Sequence, residues 1–598
     1  MAAGVIRAGF LILLLTIVTA APIRPDPALA AQAGFSPLAA TPAAAAPHAA
    51  LALRADIERL VATPGRWSVT VVSLDRGDTL IAHSPDIPLV PASNMKLFTS
   101  AAALYYLGPQ YRYNTFLLAD GTIQGGVLQG DLIIYGTGDP TISDRFGQKM
   151  RVWETFADTL IALGVREIRG KIVADASYFG GPGTAAGWEK DYMNASYAAP
   201  ASALSFAENV ATLQVKPAAE TGGRPEVRLI PGGEGSIAVV NEATTVAGRR
   251  SWINVTRTSY DGPILIRGQI GKNTMGVLRT VPVSDPARWA GAVLRETLEK
   301  RGLHVTGGVV AVQSPEASPV TGRLVFAPAF SDKPPLRVLA IHESPPLFDI
   351  LEVVNKKSHN LLAEQTLRTV GRVALGQGTV EAGARAVRHL LEAEASGVTP
   401  DITIYDGSGL SILNRVTTRS VIHLLSFMAK SNMWNDYWET LPEAGNGDGL
   451  RRMYRTPADH NLRAKTGTID HVSALSGYVR AANGERLAFS IISNDVPSTY
   501  RAKRIEDAIG ARLATFDRAA EEGTGAVAPT PNAPRPATVR AAAPQTASRA
   551  ARSYVIRKGD TFDGIARRNG ITVNALRRAN PGLNPRRLIP GRRITLPR

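Results

Sequence analysis

The chain has 598 residues, too many for one hydrophobic core, and its 44% apolar and 20% charged residues are the balance of a globular protein with less charge than average. It contains no cysteine, which excludes disulfides, a cysteine nucleophile, thiolate zinc sites and a lipidated N-terminal cysteine. Net charge is +16, of which +9 falls on residues 553–598, where eleven Lys and Arg stand against Asp560 and Asp563, so a nucleic acid or an acidic envelope polymer is a candidate partner.

In chain order, Arg7 precedes the apolar run 8–18 and a stretch of small residues, the pattern of a secretory signal cleaved after Ala20 or Ala30. The run is short for a bilayer span, and no other segment approaches ~20 apolar residues. We therefore expect a signal at 1–30, a flexible lead-in at 31–48 and an exported, periplasmic protein, which argues against nucleic acid. Leu51, Leu53, Ile57, Leu60 and Val61 predict a helix over 48–62. Strands follow at 67–73 and 79–82 around the turn 75–78. Residues 88–93 open a helix that carries Ser93-Asn94-Met95-Lys96.

Residues 116–335 read as short β-runs broken by Gly and Pro, with one helix at 286–301. Helical patterning resumes at 346–370, carrying Ser358-His359-Asn360, and at 380–394. Lys465-Thr466-Gly467 is followed by strands at 475–479 and 487–492 and a helix at 499–516. A Pro/Ala-rich linker is expected at 519–552 and a separate module at 553–598. The distance between the first two motifs exceeds what one catalytic core needs. The reading is a domain made of 49–115 and 336–516, interrupted by inserted domains over 116–335, the inner one at about 209–280.

On a helix, Ser93 and Lys96 share a face. A serine hydroxyl needs a base, and a lysine serves once desolvation or a nearby cation lowers its pKa. No Ser-His-Asp arrangement suggests itself among the nine His. Ser358 is placed to relay the proton to a leaving amine, and Asn360 to hold Lys96 and a substrate amide. Lys465, Thr466, Gly467 and Thr468 would edge the cleft and receive a carboxylate. The N–H groups of Ser93 and Thr468 would form the oxyanion hole. No His-Glu-x-x-His spacing occurs, so neither a metal nor a cofactor is expected.

The three motifs are the Ser-x-x-Lys, Ser-x-Asn and Lys-Thr-Gly set of the penicillin-binding and β-lactamase fold. Together with Gly136-Thr137-Gly138-Asp139-Pro140, residues 173–179 and Asp406-Gly407-Ser408-Gly409-Leu410-Ser411, they make residues 50–516 resemble the class C D-alanyl-D-alanine carboxypeptidase/endopeptidases of the penicillin-binding-protein-4 type. The resemblance implies an α/β (α+β) transpeptidase-like domain interrupted by mainly β inserted domains. It also implies hydrolysis of D-Ala-D-Ala termini or D-Ala–diaminopimelate cross-links in peptidoglycan, and acylation by penicillin at Ser93. By the same resemblance Asp175 matches an acid near the free amine of diaminopimelate. Relatives carry Arg where this chain has Ile412, and Arg415 is the nearest substitute. His359 is read as a variable position.

Residues 553–598 resemble a LysM module of βααβ form, opening on Tyr554 to Thr561 and closing on Ile594-Thr595-Leu596-Pro597, which implies binding to N-acetylglucosamine-containing glycans. Carboxypeptidases of this type commonly lack such a tether. The expected partners are peptidoglycan stem peptides, glycan strands and β-lactam inhibitors. Two rivals make different predictions. A β-lactamase would turn penicillin over quickly, and a catalytically idle wall-binding scaffold would not need Ser93, Lys96, Ser358, Asn360 and Lys465 intact.

Overall fold

The computed structural model describes residues 48–324, 334–393, 402–447, 449–519 and, near the C-terminus, 552–556, 591–596 and a few positions between them. The expected signal, the lead-in to residue 47 and the linker from 520 to 551 lie outside the described residues. The chain forms two compact units, one ending at Ala526 and the other starting at Val527.

The first unit is built on a five-stranded antiparallel sheet in the order Arg463–Ile469, Val472–Arg480, Arg486–Asn494, Arg66–Ser73, Thr79–His83. Two of these strands, Val472–Arg480 and Arg486–Asn494, are buried at nearly every residue, as expected when helices cover both faces. Alternation sorts their side chains. Phe489 and Ile491 join Leu53, Ile57, Ile509 and Leu513 from the helices His48–Val61 and Thr499–Ala514. Ala488 and Ile492 join Phe98, Leu104, Leu351, Leu362 and Leu425 from helices on the opposite face.

Between the helix Met95–Leu107 and the helix Leu347–Lys356 the chain leaves this core. Strands Asn114–Gln124 and Val127–Gly136 pair with each other, and Asn114–Gln124 also pairs with the returning strand Arg337–Glu343, in a seven-stranded mixed sheet. Helices Lys149–Ala162 and Pro286–Lys300 belong to this inserted region, and Trp153, Phe156, Phe206 and Trp289 share one core with its strands. Deeper in the insertion, a three-stranded sheet (Val277–Pro282, Val210–Lys216, Glu226–Ile230) and a four-stranded sheet centred on Ile264–Gly271 complete the β-rich stretch.

The helical patterning over 346–370 resolves into two helices, Leu347–Lys356 and Asn360–Leu375, separated at Lys357, Ser358 and His359. Ser358 adopts a left-handed φ of 55°, which no α-helix accommodates. Apolar periodicity runs on through the break because both helices bury Leu and Val on the same core. The second motif thus sits in a kink and at a helix start. Among the described residues, no helix is long and apolar enough to cross a membrane.

In the second unit, strands Arg552–Val555 and Arg593–Leu596 pair antiparallel. Ile556, Ile565, Ala566, Leu576, Leu583, Ile594 and Leu596 form its small core.

Candidate active site

Ser93 lies in the short 3-10 turn Ala92–Asn94 that leads into the helix Met95–Leu107. The turn is held by close packing. A Cβ at Gly409 would stand 1.8 Å from the Ala92 carbonyl oxygen, and one at Gly467 would stand 2.7 Å from the Pro91 oxygen and 3.1 Å from the Ser93 nitrogen. Only glycine lets the Asp406 loop and the Lys465 strand approach the nucleophile this closely. Asn94 adds a bond from Nδ2 to the Lys465 carbonyl at 3.0 Å.

Lys96 Nζ is 3.0 Å from Ser93 Oγ, 2.8 Å from Asn360 Oδ1 and 2.6 Å from the Ser408 carbonyl oxygen. It is fully buried. Burial pulls its pKa down to about 7, against the charges of Asp406 and then Glu364, which raise it. On the facing side Lys465 Nζ donates to Ser358 Oγ at 2.9 Å and to the Thr466 carbonyl at 2.8 Å. Burial, and then the neighbouring Lys96, holds the Lys465 ammonium well below its ordinary range. The five residues therefore form two hydrogen-bonded groups, Ser93 and Asn360 around the desolvated amine of Lys96 and Ser358 on that of Lys465. Thr466, Gly467 and Thr468 continue along the edge strand beside it, with Thr468 exposed.

Two residues named from resemblance are held by local partners. Asp175 is buried at the end of the strand Ile172–Asp175, where its carboxylate accepts the Ser177 N–H at 2.9 Å and the Ser318 hydroxyl at 2.6 Å. The Arg415 guanidinium donates to the carbonyls of Ile412 and Asn414, 2.7 and 2.8 Å away. Neither makes a hydrogen bond to the catalytic cluster.

Behind Lys96 lie two buried acids to which the motifs gave no role. Glu364 Oε1 accepts the N–H groups of Gly407 and Ser408 at 3.0 and 2.8 Å, so it holds the carbonyl on which Lys96 rests. Burial, and then the Asp406 charge, pushes its carboxyl up. Asp406 accepts the N–H groups of Gly409 and Ser411 at 2.7 and 2.6 Å and the Trp188 indole at 3.0 Å. Asp406 was visible in its glycine-rich motif, and Glu364 stands one helical turn after Asn360. Trp188 had no signal, because it comes from the insertion. The same inserted segment places the Tyr197 carbonyl 2.9 Å from Asn360 Nδ2.

A serine activated by a desolvated lysine, with a second lysine and a hydroxyl across the cleft, defines a serine acyl-transfer enzyme. The chain belongs to the D-Ala-D-Ala carboxypeptidase 3 (S13) family, whose model matches residues 53–516, and a LysM domain model matches residues 554–597. It is 35% identical over 484 residues to the D-alanyl-D-alanine carboxypeptidase of Actinomadura sp. (strain R39), a match covering 78% of this chain and 85% of that one. It is 26% identical over 413 residues to the D-alanyl-D-alanine carboxypeptidase DacB of Haemophilus influenzae, covering 67% and 79%. The crystal structure of penicillin binding protein 4 from Haemophilus influenzae has the same fold, with a TM-score of 0.62 at 24% identity over 77% of this chain and 97% of that one.

Proposed function

We propose that this protein is an exported, periplasmic serine D,D-peptidase that cleaves D-Ala-D-Ala termini or D-Ala–diaminopimelate cross-links of peptidoglycan and is held on the wall by its C-terminal module. The observation that carries this reading is Lys96 Nζ, desolvated and 3.0 Å from Ser93 Oγ. Uncharged Lys96 takes the Ser93 proton as Oγ attacks the D-Ala carbonyl carbon. The N–H groups of Ser93 and Thr468 receive the oxyanion, and Ser358 relays the proton held by Lys96 to the leaving amine, which returns Lys96 to its neutral form. Lys465, Thr466 and Thr468 bind the terminal carboxylate, Gly467 keeps the strand close to the nucleophile, and Asn360 keeps Lys96 aligned. Water then releases the acyl group by the same proton path in reverse. Asp175, toward the free amine of diaminopimelate, and Arg415, toward its carboxylate, are the further residues assigned to substrate binding. Family membership, the LysM match and the N-terminal sequence pattern support the wall-bound, exported setting.

The test is intact-mass analysis after incubation with penicillin, on wild type and on Ser93→Ala. A long-lived adduct on wild type alone is expected. No adduct and no penicillin hydrolysis would leave only a wall-binding scaffold, and rapid hydrolysis would make the protein a β-lactamase.

A further inference from the structure

Ser358 and Asn360 send their side chains to Lys465 and Lys96, whereas His359 between them reaches into the inserted region. Its ring is held at both nitrogens. Nδ1 accepts the Leu362 N–H at 3.5 Å and so caps the helix Asn360–Leu375. With Nδ1 accepting, the proton of the neutral ring sits on Nε2, which lies 3.0 Å from Glu208 Oε2 and donates to it. Arg145 grips the same carboxylate from the other side, with Nε 2.6 Å from Oε1 and Nη2 3.2 Å from Oε2. Burial opposes the charge on Glu208, but the His359 and Arg145 hydrogen bonds prevail and hold its carboxyl down to about 2.

The backbone on both sides of this link is unusual. Ala207, Glu208 and Asn209 all have left-handed φ, at 50°, 56° and 55°, and Ser358 stands at 55°. Residues with side chains occupy that region only where their surroundings require it. The turn at 207–209 is braced on its own side by Asn209 Nδ2, which donates to the Pro200 carbonyl at 2.8 Å and to Ser205 Oγ at 3.0 Å. Gln365 Nε2, on the capped helix, donates to the same Ser205 oxygen at 2.8 Å. A braced, strained turn in the insertion is thus tied to the helix after the kink by Gln365 and to the kink itself by the His359 imidazole.

We infer that His359 is a positioning residue for acylation: locked between its helix start and the Glu208–Arg145 pair, it fixes Ser358 and Asn360 against the two lysines, so the insertion sets the geometry of proton transfer. The inference rests on the functional reading above. A displacement of about 1 Å at a proton-transfer group is enough to slow chemistry by one to two orders of magnitude while leaving binding nearly intact.

The test uses the full chain with H359N, H359Q, E208A and the double variant H359N/E208A, read by penicillin acylation rate and by kcat and KM on a D-Ala-D-Ala peptide. Asparagine can cap the helix but is too short to reach Glu208. H359N should therefore keep its Tm and lose about 10- to 100-fold in kcat and acylation rate with KM changed less than about twofold. E208A should lose a similar factor, and the double variant no more than either single one, because both cut one link. The amide nitrogen of H359Q reaches about as far as Nε2, so this variant should recover much of the rate. E208A probes the link from the side remote from the cap, so the test stands even where H359N does not fold. Wild-type rates in H359N and E208A, losses that multiply in the double variant, or a rise confined to KM would each overturn the inference. A wild type that forms no penicillin adduct would bring down the functional reading, and this inference with it.

Discussion

At Lys96 two effects oppose each other, and in the proposed mechanism their balance sets the working pH. Burial favours the neutral amine, while Asp406 and then Glu364 favour the ammonium, leaving the pKa at about 7. Only the neutral amine accepts the Ser93 proton. Acylation by penicillin should therefore rise with pH through about 7 and fall roughly tenfold per unit below it. Asp406→Asn removes the larger of the two charges that raise the pKa, so the midpoint should move to lower pH. A pH profile of the acylation rate, by stopped-flow or quenched mass analysis, reads this directly. A midpoint that stays put or moves upward would contradict the balance described here. Lys96→Met should cut acylation by about 10²- to 10⁴-fold. Its Tm should be equal or higher, because the variant no longer buries an amine. A sharply lower Tm would instead make Lys96 a structural linchpin.

Among the elements, the nucleophile turn depends on a loop, at Gly409, and a strand, at Gly467, that reach it without side chains. Gly409 has a φ of 81°, and a Cβ added there would stand 1.8 Å from the Ala92 oxygen, so alanine has neither the backbone freedom nor the space. Gly409→Ala should push Ser93 out of line, lowering the acylation rate at least tenfold and stability by about 1–3 kcal/mol. Acylation kinetics with a thermal melt checks both, and an unchanged rate would show that the turn tolerates displacement. The helix break at Ser358 is the other element that matters. It turns an uninterrupted apolar stripe into a kink and a capped start, and this aims Ser358 and Asn360 at different lysines.

Across the whole molecule, chemistry and wall attachment fall in separate compact units. Truncation after Ala526 should leave kcat/KM on a soluble D-Ala-D-Ala peptide within about twofold of wild type, since the catalytic cluster lies wholly before that residue. It should abolish much of the co-sedimentation with purified peptidoglycan, because a tether raises local substrate concentration without touching the chemistry. Equal sedimentation of the full and truncated chains would remove the module from that role. High salt should weaken retention of the full chain if the +9 charge of residues 553–598 contributes.

A set of candidate reacting groups and their order could be read along the chain. Ser93, Lys96, Ser358, Asn360 and Lys465 were legible because a short spacing on a helix, or a lysine before a strand, is a local property that chemistry makes recognisable. The β-rich character of the stretch after the first motif was legible for the same reason. Only the tertiary structure decided what surrounds those groups. Glu364 and Asp406 became Lys96's counter-charges, Trp188 and Tyr197 arrived from the insertion, and His359 turned from a spacer into a link to Glu208. Desolvation, charge pairing and close backbone approach depend on residues distant in sequence meeting in space, and no local pattern along the chain encodes which distant residues those will be.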